Sequence, residues 1–364
     1  MSGKGLMKPS KSIIQSSELR TLLRKYLETG DSVEDIRWES ITTENGLPHN
    51  WIYDLYQASD GQIYVGTWGG GLAVFNGADW KIFLEKDGLH DDAVTCIRES
   101  KDGRIWVATD EGLNYLENGK INDGGLAGKS LLNITIDQHG DLWAGCWRAA
   151  HAGGGLYRYD GSGWRSFTTR DGLPGQEILK VFEDSRSRIW VGTYEHGIGA
   201  GVGCYDGSGW QNYRESDGLA DNCVYSMFED PSGNLWFGTV GGISVYDDQK
   251  WHHLSKKDGL VDNRIYCMWI DSKKKMWFGT EKGLSRYDGE HWTSFTKDDG
   301  LVENLVRAIL ETKNGDLWIG TYPYQRGKGG ISIARFDEVK RLKDSVMDLL
   351  PEPPETDQLP SGPC

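Results

Sequence analysis

The chain has 364 residues, among them 49 Gly and 16 Trp, and its 54 acidic against 40 basic side chains give a formal net charge of −14. Such an acidic surface repels phosphate backbones and anionic lipid, no apolar run approaches the roughly 18 residues of a membrane span, and a chain so rich in Trp is not a disordered one. Nucleic acid and membrane are thereby excluded as partners, leaving one large domain or two ordinary ones.

In chain order, the N-terminal segment MSGKGLMKPSKSIIQSSELR is basic but lacks the apolar stretch of a secretory leader. The six cysteines, Cys96, Cys146, Cys204, Cys223, Cys267 and Cys364, have neither metal-ligand spacing nor a disulfide framework's density. Both features are expected of a cytoplasmic chain with free thiols, or of a periplasmic one whose leader has been removed. Residues 13–29 place Ile14, Leu19, Leu22, Leu23, Tyr26 and Leu27 on one face at helical spacing, with Ser17 as a cap, so residues 1–36 are expected to hold a tail and an amphipathic helix.

From residue 37 a repeat takes over. A Gly-Leu pair recurs at Gly46, Gly88, Gly125, Gly172, Gly218, Gly259 and Gly300, and 18 residues after each glycine stands an aromatic: Tyr64, Trp106, Trp143, Trp190, Trp236, Trp277 and Trp318. A further Trp lies 8 residues before most Gly-Leu pairs, at Trp38, Trp80, Trp164, Trp210, Trp251 and Trp292. Turn signals divide each unit into four short β-rich stretches, the pattern of a propeller blade. Trp38 stands in a fourth-strand position with no first three strands before it, while the last unit, through VRAIL, LWIGT and GISIARF, lacks a fourth. The expected fold is therefore all-β: a seven-bladed propeller over 37–337, closed three-plus-one by the N-terminal strand, since closure hides edges that a solenoid leaves open. Residues 338–364 are expected to form a second short helix, with Val339, Leu342, Val346 and Leu349 on one face, and a disordered Pro-rich tail.

Units such as DGLADNCVYSMFEDPSGNLWFGTVGGISVYD resemble the two-component regulator propeller repeat of extracytoplasmic bacterial sensor regions. That resemblance implies a ligand-sensing propeller, often for glycans. A more distant similarity to streptogramin lyase, also a seven-bladed propeller, implies an enzyme.

Seven copies in one chain can be compared with each other. Positions alike in all of them serve the scaffold, and departures are candidates for function. Trp51, Trp68, Trp147 and Trp269 fall outside the repeated Trp positions, Trp269 within a first strand as expected core. The loops between second and third strands are long in units three, four and seven (GCWRAAHAGGG, GTYEHGIGAGVG, GTYPYQRGKGG) and short in five and six (GTVGG, GTEKG). They gather Trp147, Arg148, His151, Tyr194, His196, Tyr322, Tyr324 and Arg326 on the top face, and are expected to form two raised lips facing each other across the central funnel. The sixth residue of each unit, at the start of the innermost strand, reads Trp51, Ala93, Ser130, Glu177, Cys223, Arg264 and Leu305, which points to Trp51, Glu177 and Arg264 converging on one ligand.

Flat aromatics with a few fixed polar groups suit a sugar, a metabolite or a peptide, and Arg suits an anion. The preferred reading is a non-catalytic module with a ligand groove of Trp51, Trp68, Trp147, Arg148, Glu177, Tyr194, His196, Arg264, Tyr322 and Arg326, and with a protein partner on the terminal helices or the acidic rim. The alternative is a lyase or hydrolase with Glu177, His196 or His151 as acid and base, Tyr194 as proton donor and Arg264 as clamp. Neither a metal nor a cofactor is expected: His151 and His196, even with Glu195 or Glu177, lack ligand spacing. Turns such as DSRSR and DPSGN are read as β-turns rather than calcium loops, and Cys223 as a buried thiol rather than a nucleophile.

Overall fold

A computed structural model describes residues 35–148, 154–323 and 328–337. Both expected terminal helices lie outside these residues, as do His151, Tyr324 and Arg326. The chain divides into a ring, Trp38–Arg335, and a terminal unit of which the described residues are only the outer ends of two strands.

The ring is seven four-stranded antiparallel sheets. Blade one contains β2 (Ile52–Gln57), β3 (Ile63–Thr67), β4 (Leu72–Phe75) and β5 (Trp80–Phe83); blades two to six repeat that order over residues 94–125, 131–167, 177–213, 224–254 and 265–295. Blade seven takes three strands, β26 (Val306–Glu311), β27 (Leu317–Thr321) and β28 (Gly330–Asp337), and its outer strand is β1 (Asp35–Ile41), which realises the expected closure.

The repeated residues have the packing roles their spacing implied. Six of the seven Gly-Leu pairs follow a short 3-10 or other turn, and Gly125 ends the last strand of blade two; at Gly259 the backbone is left-handed (φ 123°) and a Cβ would lie 2.5 Å from Trp292, while Leu260 is buried. Gly300 meets Trp38 in the same way, so the N-terminal strand fits the last blade as a true fourth strand. Trp143, Trp190 and Trp277 are almost wholly buried. Their indole N–H groups donate to Asp137, Asp184 and Asp271 six residues earlier at 2.9, 2.8 and 2.8 Å. The acidic turns are thus acceptors for the core Trp of the following strand. On the bottom face, carboxylates ending four of the innermost strands lace their blades to the turn of the one before: Glu99 binds Ser59, Glu183 accepts from the Gln138 N–H, Glu229 binds Ser185 and Glu311 binds Ser272.

The feature that shapes the channel is a β-bulge, present at one place in all seven innermost strands. It leaves the eighth residue of each unit unpaired, namely Tyr53, Thr95, Leu132, Leu179, Tyr225, Tyr266 and Arg307. A bulge re-aims a side chain and frees neighbouring backbone groups. All seven residues line the channel, and the ninth residue can then reach a backbone N–H of the next blade, as Asp54 does at Ile97 (2.8 Å) and Asn133 at Val181 (3.0 Å).

Candidate ligand-binding mouth and channel

Two cavities share the axis of the ring. The upper, about 320 Å³, opens at the mouth between Trp68, Asp110, Trp147, Arg148 and Tyr322. The lower, about 640 Å³, extends to the bottom rim at Glu229, Glu311 and Lys313. Tyr53, Thr95, Leu132, Leu179, Tyr225 and Arg307, all bulge residues, line both and form a collar between them.

The residue that follows the Gly-Thr-like pair ending each second strand is Trp68, Asp110, Trp147, Tyr194, Val240, Glu281 and Tyr322 in turn, of which Trp68, Asp110, Trp147 and Tyr322 line the mouth. Backbone bonds seat them over the sixth-position residues of their own blades, Trp68 on Trp51 (3.0 Å), Asp110 on Ala93 (3.1 Å), Trp147 on Ser130 (2.7 Å) and Tyr322 on Leu305 (2.9 Å), and Tyr194 pairs with Glu177 across the strands. On five consecutive blades, seven, one, two, three and four, these positions hold Tyr, Trp, Asp, Trp and Tyr. Their side chains form a chain of contacts. Trp147 lies against Tyr194 (5.8 Å between ring centres), Trp68 stacks on Tyr53 (5.0 Å), and Tyr322 packs on both Tyr53 (5.9 Å) and Trp51 (4.7 Å).

Arg148 supplies the link between blades one and three. It pairs with Asp110 at 2.8 Å and lies over the Trp68 ring at 5.9 Å; Asp110 also accepts from Ser130. Residues 149–153 and 324–327 of the long loops, on which the expected two lips rest, lie outside the described residues; within the described part, Arg148 reaches Trp68 of blade one.

Other candidates lie elsewhere. Glu177, His196 and Arg264 line neither cavity. Arg264 is bound to Glu281 of its own blade at 2.8 Å. His196 projects into solvent, its side chain 90% exposed, with Glu195 3.4 Å away, and the Tyr194 hydroxyl donates to the carbonyl of Gly197 at 2.6 Å. The acid–base set proposed for a lyase is therefore not assembled among the described residues. Burial raises the thiol pKa of Cys223, and pushes those of Cys204 and Cys267 up to about 12, as inert thiols require. Trp269 packs against the core between blades seven and one, yet also borders the lower cavity, and its buried indole N–H has no partner. Among the described residues no group of three His, Cys, Asp or Glu side chains could hold a metal.

Reading only the sixth position missed the collar. Comparing the eighth and ninth residues of the units, where Tyr and Arg stand beside Thr and Leu, and Asp and Lys beside Cys, Asn, Ser and Ala, would have exposed it. Tyr225 and Tyr266 are 5.3 Å apart, and the Arg307 guanidinium lies between Tyr266 (5.0 Å) and Tyr53 (4.8 Å). Blades five, six, seven and one thus give the collar an aromatic and cationic half, and blades two to four an apolar one.

Fold and site together define a seven-bladed propeller with an aromatic mouth above an axial channel. Five of its units match the two-component regulator propeller, over residues 46–69, 88–111, 172–195, 218–241 and 300–322. No curated protein sequence matches the chain significantly. Among solved structures, it is similar to the extracellular domain assigned to a hybrid two-component system of B. thetaiotaomicron, with TM-score 0.68 and 21% identity over 83% of this chain, which spans 40% of that one. A virginiamycin B lyase from Staphylococcus aureus, solved with quinupristin, is similar at TM-score 0.64 and 12% identity, over 83% of this chain and all of the other. YCF48 bound to D1 peptide aligns at TM-score 0.58 and 16% identity, over 84% of this chain and 99% of that one. At these identities the likeness is one of fold. The first of these neighbours is an extracellular domain, so the comparison lends no support to the cytoplasmic placement expected from thiols and N-terminus. No described helix is long and apolar enough to cross a membrane.

Proposed function

We propose that the ring is a ligand-binding sensor propeller that acts outside the cytoplasm and holds a small polar or aromatic ligand, a glycan, metabolite or peptide, in its top-face mouth. The observation that carries this reading is the aromatic arc from Tyr194 through Trp147, Arg148, Trp68 and Tyr53 to Tyr322 and Trp51. These side chains stand where the repeat does not dictate aromatics, they remain half-exposed in solvent, and stacked rings of this kind grip a planar or sugar ring at low entropic cost. The two-component regulator repeats support a sensor role, and the peptide carried by YCF48 supports a ligand on such a ring. A protein partner on the terminal helices would use segments outside the described residues.

Titration of tryptophan fluorescence with a panel of glycans, aromatic acids and short peptides tests the proposal. A true ligand quenches or shifts Trp68 and Trp147 emission, and Trp147→Ala or Trp68→Ala weakens its binding by about 1–3 kcal/mol, roughly ten- to a hundredfold. Unchanged affinity in both variants would place the ligand elsewhere.

A further inference from the structure

The walls of the channel carry more positive charge than a protein of net charge −14 would place there by default. At the collar and just below it, the charged side chains are Arg307, Asp54, Arg98 and Lys180. Asp54 accepts through Oδ2 from Arg98 at 2.8 Å, which balances its charge, and from the Ile97 N–H at 2.8 Å. Further down, Glu229 and Glu311 are bound to Ser185 and Ser272, and Lys313 to the carbonyls of Ala58 and Ser59. Arg307 and Lys180 remain. Neither makes a hydrogen bond or ion pair with the described residues. Arg307 has its guanidinium face held between two tyrosine rings, which fixes its plane and leaves its N–H edge for an acceptor.

Lys180 has no scaffold role to explain it. It occupies the ninth position, where Asp54 and Asn133 accept a backbone N–H from the next blade, and an ammonium cannot accept. Burial, and then the proximity of Arg98, lowers its pKa.

We propose that the channel is an oxyanion receptor, in which the N–H edge of Arg307 at the collar and the ammonium of Lys180 below it receive a carboxylate, phosphate or sulfate group of the ligand. Resting on the mouth reading, this narrows the ligand to an acid: its ring lies against the aromatic arc and its anionic group enters the collar. A channel walled by protein and lined with two uncompensated cations focuses negative charge that the acidic exterior otherwise repels. Planar carboxylate or tetrahedral phosphate meets Arg in the same two-pronged geometry.

The test is calorimetric titration of the full chain, at constant ionic strength, with sodium phosphate, sulfate and acetate, and with benzoate against benzamide, which shares the ring and lacks the charge. Expected are binding of at least one of the three small oxyanions, tighter binding of benzoate than of benzamide, and a loss of about tenfold or more on Arg307→Gln, partly restored in Arg307→Lys. Lys180→Met is expected to weaken the same anions while remaining folded. The preferred small anion tells a carboxylic acid from a phosphate or sulfate ester. No heat with any oxyanion, or affinities unchanged by both Arg307→Gln and Lys180→Met, overturns the receptor. Trp147→Ala separates the two readings: a benzoate affinity insensitive to it, with phosphate binding still dependent on Arg307, sinks the mouth and leaves the channel.

Discussion

A lysine whose pKa is lowered in the folded state releases its proton at a lower pH there than in the unfolded chain. For Lys180 the native value lies below the ordinary 10.5, through burial and Arg98. Between the native value and 10.5 the unfolded state binds more protons, so stability rises with pH across that window, and below it the full penalty of the charge is present. Lys180→Met should therefore be more stable than the parent in urea denaturation at pH 7, with a gap that narrows toward pH 10.5; a gap that stays constant or reverses would contradict the assignment. A residue that is kept against stability is a sign of function. Such residues were only partly legible in the sequence. Trp68, Trp147, Arg148 and Tyr322 stood out because they broke the repeat, and they meet at the mouth. Glu177 and Arg264 also broke it, yet Arg264 turns to Glu281 on its own blade. Strand alternation says which residues share a face of a regular strand; the bulge resets that count one residue later and sends Tyr53 and Arg307, rather than the sixth-position residues, to the axis.

Elements were legible because they are repeated. A Gly-Leu pair, an aromatic at 18 residues and a Trp at the fourth strand occur so often that the spacing alone gave blade number and closure. What spacing could not give is the partner of each group. The indole of Trp277 donates to Asp271, which also accepts from the Lys275 N–H. Asp271→Ala would remove that indole's carboxylate acceptor, at a cost of about 1–3 kcal/mol in a chemical denaturation curve; the equivalent change at Asp137 should cost about the same, and at Asp184 more, because Asp184 also pairs with Arg188 at 2.6 Å. Gly259→Ala meets two obstacles, a left-handed φ of 123° and the edge of Trp292 at 2.5 Å, and should cost about 2 kcal/mol or more, whereas Ala at Gly289, with open space around its Cβ, carries only the backbone term.

At the scale of the ring, the N-terminal strand closes blade seven: β1 pairs with β28, Trp38 packs on Gly300, and Arg335 of β28 meets Glu39 of β1 at 3.1 Å. Deleting residues 1–41 would expose β28 as an unpaired edge. Sedimentation analysis should then show self-association through that edge and a lower urea midpoint; a monomer of unchanged midpoint would mean that closure contributes little. The seven bulges have another consequence. Each gives its blade one side chain that faces the axis and stands outside the pairing of the ladder. The collar is therefore a combination of seven characters, here Tyr, Thr, Leu, Leu, Tyr, Tyr and Arg, most of them touching a neighbour in the ring. Rewriting a few of them would retune what the ring recognises without asking the fold to change, so a lineage of such rings can diversify its chemistry faster than its architecture.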